Sequence, residues 1–283
     1  MRSKFTLLAQ LLCLTAIGST ISAQMTEQGL LDSLLQRTVV KQVRHLGWFS
    51  AGFGLNRINR YNDYNSFATY ESKHLGGASL NWLDMGKSIN ADFGYPILPK
   101  LTLTVGGESW FRLGQTLKGT FTYTPDGSAA MNVTNPSSEI KVMGFSLGAQ
   151  YYLANPPTTE EMLTKPSLRI GGNVGYYQVS WDLWPEYQNL NLSTTTTERP
   201  NITFKGSAPG LSVSFGTDYP LKSSGWALCA DLNYLYLNFK NVAWYNRSDQ
   251  PVVATYAGTT NSRVNLALSG IRGKIEIKKF FRW

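Results

Sequence analysis

The chain has 283 residues, a formal net charge of +8, two cysteines and 26 glycines; 13% of it is aromatic and only 16% is charged, against about 25% charged in an average chain. The cationic surplus is scattered and never gathers into a basic run, which argues against a nucleic-acid partner. No stretch beyond the leader holds 18 successive apolar residues, which excludes a helical membrane span, and the single cysteine left there, Cys229, excludes an internal disulfide.

The chain opens MRSKFTLLAQLLCLTAIGSTISAQ, with Arg2 and Lys4 before an apolar run from Phe5 to Ile17 and small residues after it. This is the pattern of a secretory signal, residues 1–23, cleaved after Ala23. Cys13 lies behind leucines inside the run and not behind the small residues that a lipid-anchor signal uses. Residues 24–45 carry Leu30, Leu31, Leu34, Leu35, Val39 and Val43 at helical spacing and are read as a short amphipathic helix, either a cap on the side of the termini or a linker.

From Leu46 the period changes to two. Eight strands are expected, over 46–56, 75–97, 101–122, 138–154, 167–184, 203–220, 224–240 and 262–283, or nine if the second divides at Asp84-Met85-Gly86. Their connections alternate. Those at 97–100, 155–166 and 220–225 are marked by proline and mostly short, whereas 57–73, 123–138, 185–200 and 241–262 are long and rich in Asn, Ser, Thr and Tyr. A meander with short turns at one end and long loops at the other is the arrangement of a membrane barrel.

The faces sharpen the reading. Ile89, Ala91, Phe93, Tyr95 and Ile97 oppose Asn90, Asp92 and Gly94; Leu101, Leu103, Val105, Phe111 and Leu113 oppose Thr102, Thr104, Gly106, Glu108, Trp110 and Arg112. Met143, Phe145, Leu147, Ala149, Tyr151 and Leu153 oppose Gly144, Ser146, Gly148, Gln150 and Tyr152, and Leu211, Val213, Phe215 and Tyr219 oppose Ser212, Ser214, Gly216 and Asp218. A soluble sandwich alternates too, but its solvated face would carry bulky polar residues, whereas this polar parity is small, as a narrow lumen requires. Aromatic residues gather beside the short turns (Tyr95, Tyr151, Tyr152, Tyr219, Trp226, Phe281 and Trp283) as an interfacial belt does. The expected fold is therefore all-β: a closed antiparallel up-and-down transmembrane β-barrel over 46–283, of eight strands, with walls taller than the apolar band.

The ending IEIKKFFRW resembles the C-terminal β-signal of Gram-negative outer-membrane proteins, an aromatic last residue preceded by apolar residues at alternate positions. Ile275, Ile277, Phe281 and Trp283 match it and Lys279 departs. Strand number and length resemble the small eight-stranded families of the OmpA transmembrane domain, OmpX and OmpW. The resemblance implies an outer-membrane location with periplasmic termini, outer-membrane lipids and lipopolysaccharide as surroundings, and the barrel-assembly machinery as a partner. It implies a structural or surface-contact role in the envelope, with a narrow channel for small or hydrophobic solutes as the OmpW-like alternative.

An eight-stranded lumen is just wide enough for side chains to fill it, so charges on the inward parity must pair. A network is expected of Asp92 and Glu108 with Arg112, and of Asp231 and Glu276 with Arg169, Lys274 and Lys278. For an enzyme the resources are slight: the histidines are His45 and His74, and only His74, with Ser72 and Glu71 nearby, offers a centre for a lipid-modifying reaction. No catalytic residue, cofactor or metal site is assigned; two distant histidines and one cysteine make no transition-metal set.

Overall fold

The computed structural model describes residues 46–124, 130–156, 165–189, 202–221, 225–245 and 263–282. The signal expected over 1–23, the helix expected over 24–45, His45 and Trp283 lie outside the described residues.

Eleven strands and one helix follow in order: β1 Leu46–Ile58, α1 Asp63–His74, β2 Leu75–Gly76, β3 Met85–Leu98, β4 Leu101–Thr116, β5 Thr120–Tyr123, β6 Met131–Ala154, β7 Ser167–Asn189, β8 Ile202–Pro220, β9 Trp226–Tyr245, β10 Arg263–Ala267 and β11 Gly270–Arg282. Eight of the strands close a ring, β1–β3–β4–β6–β7–β8–β9–β11 and back to β1, every pair antiparallel. Closure leaves the ring no edge, and its backbone groups are paired without help from water, the condition for a β structure in lipid. The remaining strands extend the wall upward: β5 pairs with β6 and β2 with β5, while β10 continues the stave of β11 along β9 after a break at Leu268-Ser269. Among the described residues no helix is long and apolar enough to cross a membrane; the strands cross instead.

The wall has two storeys. In the lower one, nearer the short turns, apolar side chains point out: Phe53, Phe145, Leu147, Val213 and Ile275 are 69%, 71%, 62%, 64% and 62% exposed. On β6 this outward set runs from Met143 to Leu153, about 25 Å of height at the usual rise and tilt, which matches the lipid-facing band of a membrane barrel. The next outward positions up the same strand are Lys141 and Glu139, and at that level the inward side turns from Gly144 to Val142 and Ile140, both buried. The same exchange occurs between Tyr176 and Gln178 on β7, above Leu211 on β8 and between Tyr236 and Asn238 on β9. Above the exchange the barrel is built as a soluble protein, apolar within and polar without. With β6, β7 and β9 running 24, 23 and 20 residues, the wall stands well above the lipid-facing band.

Two expected strands change. The second begins only at Met85, because residues read as a long loop contain α1, and Leu75, Leu80 and Leu83 turn inward against it. The third ends at Thr116 and resumes as β5 after Gly119. An irregularity between Trp110 and Leu113 puts an extra residue into β4, so Leu113 turns inward and is 1% exposed instead of sharing the face of Leu103 and Val105. Tyr152, expected in the belt, is also inward and fully buried.

Candidate functional site

The lumen is filled in three layers. At the bottom Leu46, Trp48, Ala227, Cys229 and Phe280 form a small apolar plug. The Trp48 ring packs so closely on Gly94 that a Cβ there would collide with it; glycine here is a packing requirement.

Above the plug lies a layer of charge. Lys278 Nζ donates to both carboxylate oxygens of Asp218 at 2.9 Å, and Arg169 Nε donates to Asp218 at 2.9 Å. The Tyr152 hydroxyl adds a bond to Asp218 at 3.3 Å, and Arg169 reaches Asp231 at 2.8 Å. These ions are dry: the side chains of Lys278, Asp218 and Arg169 are 0%, 1% and 2% exposed. A second group is centred on Glu108, whose two oxygens each accept from Arg272 Nη1 at 2.7 Å and which also takes Trp110 Nε1 at 3.0 Å, with Lys274 Nζ 3.7 Å away. Between the groups Glu276 accepts from Ser50 at 2.9 Å and from Asn90 at 2.5 Å, and Asn90 also donates to Asp92 at 3.1 Å.

Asp92, Glu108, Arg169, Asp231, Lys274, Glu276 and Lys278, expected in the lumen network, stand in this layer, but the pairing differs from the expected one: Glu108 takes Arg272, Lys278 takes Asp218, and Glu276 takes Ser50 and Asn90 in place of a cation. The side chain of Arg112 lies outside the described set. Asp218 and Arg272 were missed, although both sit on inward parities that the sequence displays, Arg272 two residues before Lys274 and Asp218 two after Gly216. Of the β-signal residues, Ile275 and Ile277 face outward, and Phe281 packs on Phe93 with ring centroids 6.0 Å apart.

The upper layer is apolar again and includes α1. Asn62 caps the helix, accepting from Asn65 N, and Asn65 in turn accepts from Leu83 N at 2.6 Å, which fastens the following loop to the first turn. Tyr64, Phe67 and Ala68, one stripe of the helix, are buried against Trp181, whose ring is 5.3 Å from Tyr64, 5.2 Å from Phe67 and 4.8 Å from Phe204. Burial pushes the Tyr64 phenol up to about 12. Burial likewise raises the Glu71 carboxyl, partly countered by a hydrogen bond to Tyr123 and by His74. Asp63 accepts from Asn265 N at 2.7 Å and ties the helix to β10.

Two spaces remain. Within the charge layer a cavity of about 40 Å³ is lined by Asp92, Glu108, Asp231, Arg272, Lys274 and Glu276 among others, room for about one water molecule. Outside the upper storey a groove of about 1280 Å³ runs between the exposed side of α1 and the outward faces of β9 and β10. His74 ends α1 with Nδ1 2.8 Å from Tyr70 O and its ring 4.3 Å from that of Tyr70; Ser72 Oγ donates to Ala68 O and accepts from Leu80 N. Both are engaged in holding the helix end.

No family model matches the sequence, and no curated protein matches it. Among solved structures the barrel is similar to Neisserial surface protein A, at 12% identity over 83% of this chain and 97% of that one, with a TM-score of 0.39. It is similar also to Ail, the attachment invasion locus protein of Yersinia pestis, solved with the heparin analogue sucrose octasulfate, at 9% identity over 84% and 99% of the chains, TM-score 0.38. A third is the outer membrane protease OmpT of Escherichia coli, at 10% identity over 85% and 98%, TM-score 0.38. Likeness at this level assigns no activity; the barrel itself rests on the closed ring of ladders in this chain.

Proposed function

Taking as premise a closed eight-stranded barrel of the small outer-membrane kind, we propose that this protein is a non-enzymatic component of a Gram-negative outer membrane. Its lumen is a sealed pillar and its work is done by the water-exposed surface around α1, in envelope integrity or surface contact. The short turns and the chain ends face the periplasm, and Ile275, Ile277, Phe281 and Trp283 serve the barrel-assembly machinery as its signal. Outer-membrane lipids, lipopolysaccharide among them, surround it.

The observation that carries this reading is the triple filling of the lumen. A solute would have to displace the Trp48 plug, a salt-bridged layer with about 40 Å³ of free space, and the core beneath α1. Opening such a path means separating buried ions, at about 3–5 kcal/mol for each pair broken. The test is reconstitution of the purified chain in planar bilayers and liposomes. No steady conductance and no flux of small hydrophilic or apolar solutes is expected; sustained single-channel currents would overturn the sealed pillar and restore the channel. Phospholipid hydrolysis by the wild type that disappears in His74→Ala would overturn the non-enzymatic assignment. Whole-cell labelling of a cysteine placed at exposed Tyr61 checks orientation: a reagent that cannot enter the cell should reach it.

A further inference from the structure

In the lumen each described cation has a carboxylate partner. Outside the upper storey the pairing is incomplete: Lys141 meets Asp182 at 3.7 Å, but not every cation is matched. Among the described residues no carboxylate pairs with Lys73, Lys240 or Arg263, which line the groove beside α1 together with Asp63, and Arg60 completes the set, held loosely by exposed Asp84 at 3.6 Å. Trp82 and Tyr61, 52% and 90% exposed, line the same space, with the Arg60 guanidinium 6.0 Å from the Trp82 ring. Unpaired cations beside exposed aromatic rings suit a phosphorylated sugar: charge meets phosphate, and the rings cover the apolar side of the pyranose.

The position of the groove favours a lipid-borne sugar over a free one. Along β9 the outward residues are Leu232, Tyr234 and Tyr236, all half-exposed in the lipid-facing band, and the next two, Asn238 and Lys240, are the groove wall. A headgroup seated there has its acyl chains running down that apolar row. The charge also continues around the barrel: Lys141, Ser180, Lys205, Ala243 and Arg263 are successive outward partners across β6, β7, β8, β9 and β10, so cations recur just above the band where anionic headgroups lie.

We propose that the groove between α1 and β9–β10 binds the phosphorylated sugar headgroup of an outer-leaflet glycolipid, with Lys73, Lys240 and Arg263 as phosphate partners and Trp82 and Tyr61 as the sugar platform. The proposal rests on the reading that this end of the barrel faces outward. Each cation near an anionic lipid surface adds about fivefold to binding, so the three together contribute on the order of 100-fold.

The test uses the full chain folded in non-ionic detergent and bisphosphorylated lipid A as probe, with bound lipid counted by native mass spectrometry. Retention of the barrel is scored by its heat-dependent shift on a detergent gel. The variant Lys73→Gln/Lys240→Gln/Arg263→Gln is expected to lose about 100-fold in affinity, and lipid A stripped of both phosphates to bind the wild type no better than that. Lys100→Gln, an exposed lysine at the opposite end, should leave binding unchanged. Equal affinity of the triple variant, or of the dephosphorylated lipid, overturns the site. Glucosamine 1-phosphate binding as tightly as the lipid overturns the lipid-borne occupant. Detergent binding is blind to orientation, so its failure strikes the groove, while the labelling experiment separately decides which way the barrel points.

Discussion

Asp218 is the acid on which the charge layer turns, and Asp218→Asn is the sharpest way to ask whether that layer holds the barrel together. The carboxylate takes two bonds from Lys278 and one from Arg169, and all three side chains are at most 2% exposed. An amide of the same shape keeps the volume and removes the charge. Arg169 retains Asp231 at 2.8 Å, but Lys278, whose one carboxylate partner among the described residues is Asp218, is left with the Trp48 and Phe280 rings at 4.2 and 5.8 Å. A cation–π contact returns at most about 2 kcal/mol, whereas a buried ion stripped of its partner costs about 3–5 kcal/mol. Asp218→Asn should therefore destabilise the barrel by about 3 kcal/mol, measured by reversible urea unfolding in phospholipid vesicles with tryptophan emission as the signal. Lys278→Met alone should cost a similar amount, since it leaves Arg169 as the one cation on Asp218 among the described residues, with the Tyr152 hydroxyl beside it. Asp218→Asn/Lys278→Met leaves neither ion unpaired and should recover at least half of either loss. The reasoning is refuted if Asp218→Asn unfolds within about 0.5 kcal/mol of the wild type, or if the two losses simply add.

Other expectations follow from the same layers. Trp181→Ala empties the centre of the upper core and should cost about 3–5 kcal/mol, seen as unfolding at lower urea and as faster proteolysis of the 60–84 segment. Leu147→Lys puts a charge near the middle of the lipid-facing band and should cost about 2–4 kcal/mol, whereas a lysine at the boundary, such as Lys279 with its Trp226 contact at 4.8 Å, is tolerated. Glu71 has a folded pKa raised above its unfolded value, so the docked helix binds the proton more tightly. The stabilisation is complete below the unfolded pKa and is lost as pH rises through the folded one. Amide exchange of α1, corrected for intrinsic rate, should slow as pH falls across that window, and Glu71→Gln should abolish the dependence.

The lower storey was open to inspection in the sequence because lipid and lumen impose opposite chemistries on alternate residues: Met143 to Leu153 and Ile275 to Ile277 announce their faces one by one. The partners within the lumen were not. Which carboxylate meets which cation depends on the stagger between staves, and nothing near Asp218 points to Lys278, 60 positions away. The inward turn of Leu113 was hidden for a related reason, since one irregular residue reverses the parity of all that follows. Helix α1 was missed because its buried stripe is a single set, Tyr64, Phe67 and Ala68, within a polar segment; the Asn62 cap was the one local cue. The groove was illegible because Lys73, Lys240 and Arg263 come from three separate elements.

The vertical zoning of the wall bears on how the staves find their registration. A slide of two residues keeps every side chain on its proper face, so in a uniform tube such an error would carry little penalty. Here it would lift Arg169 or Lys278 out of reach of its counter-ion, or pull Val142 and Leu235 down among carboxylates. Alternation chooses which way each side chain points; the stacked zones act as graduations along each stave, so that the tube closes at one stagger and discards the rest.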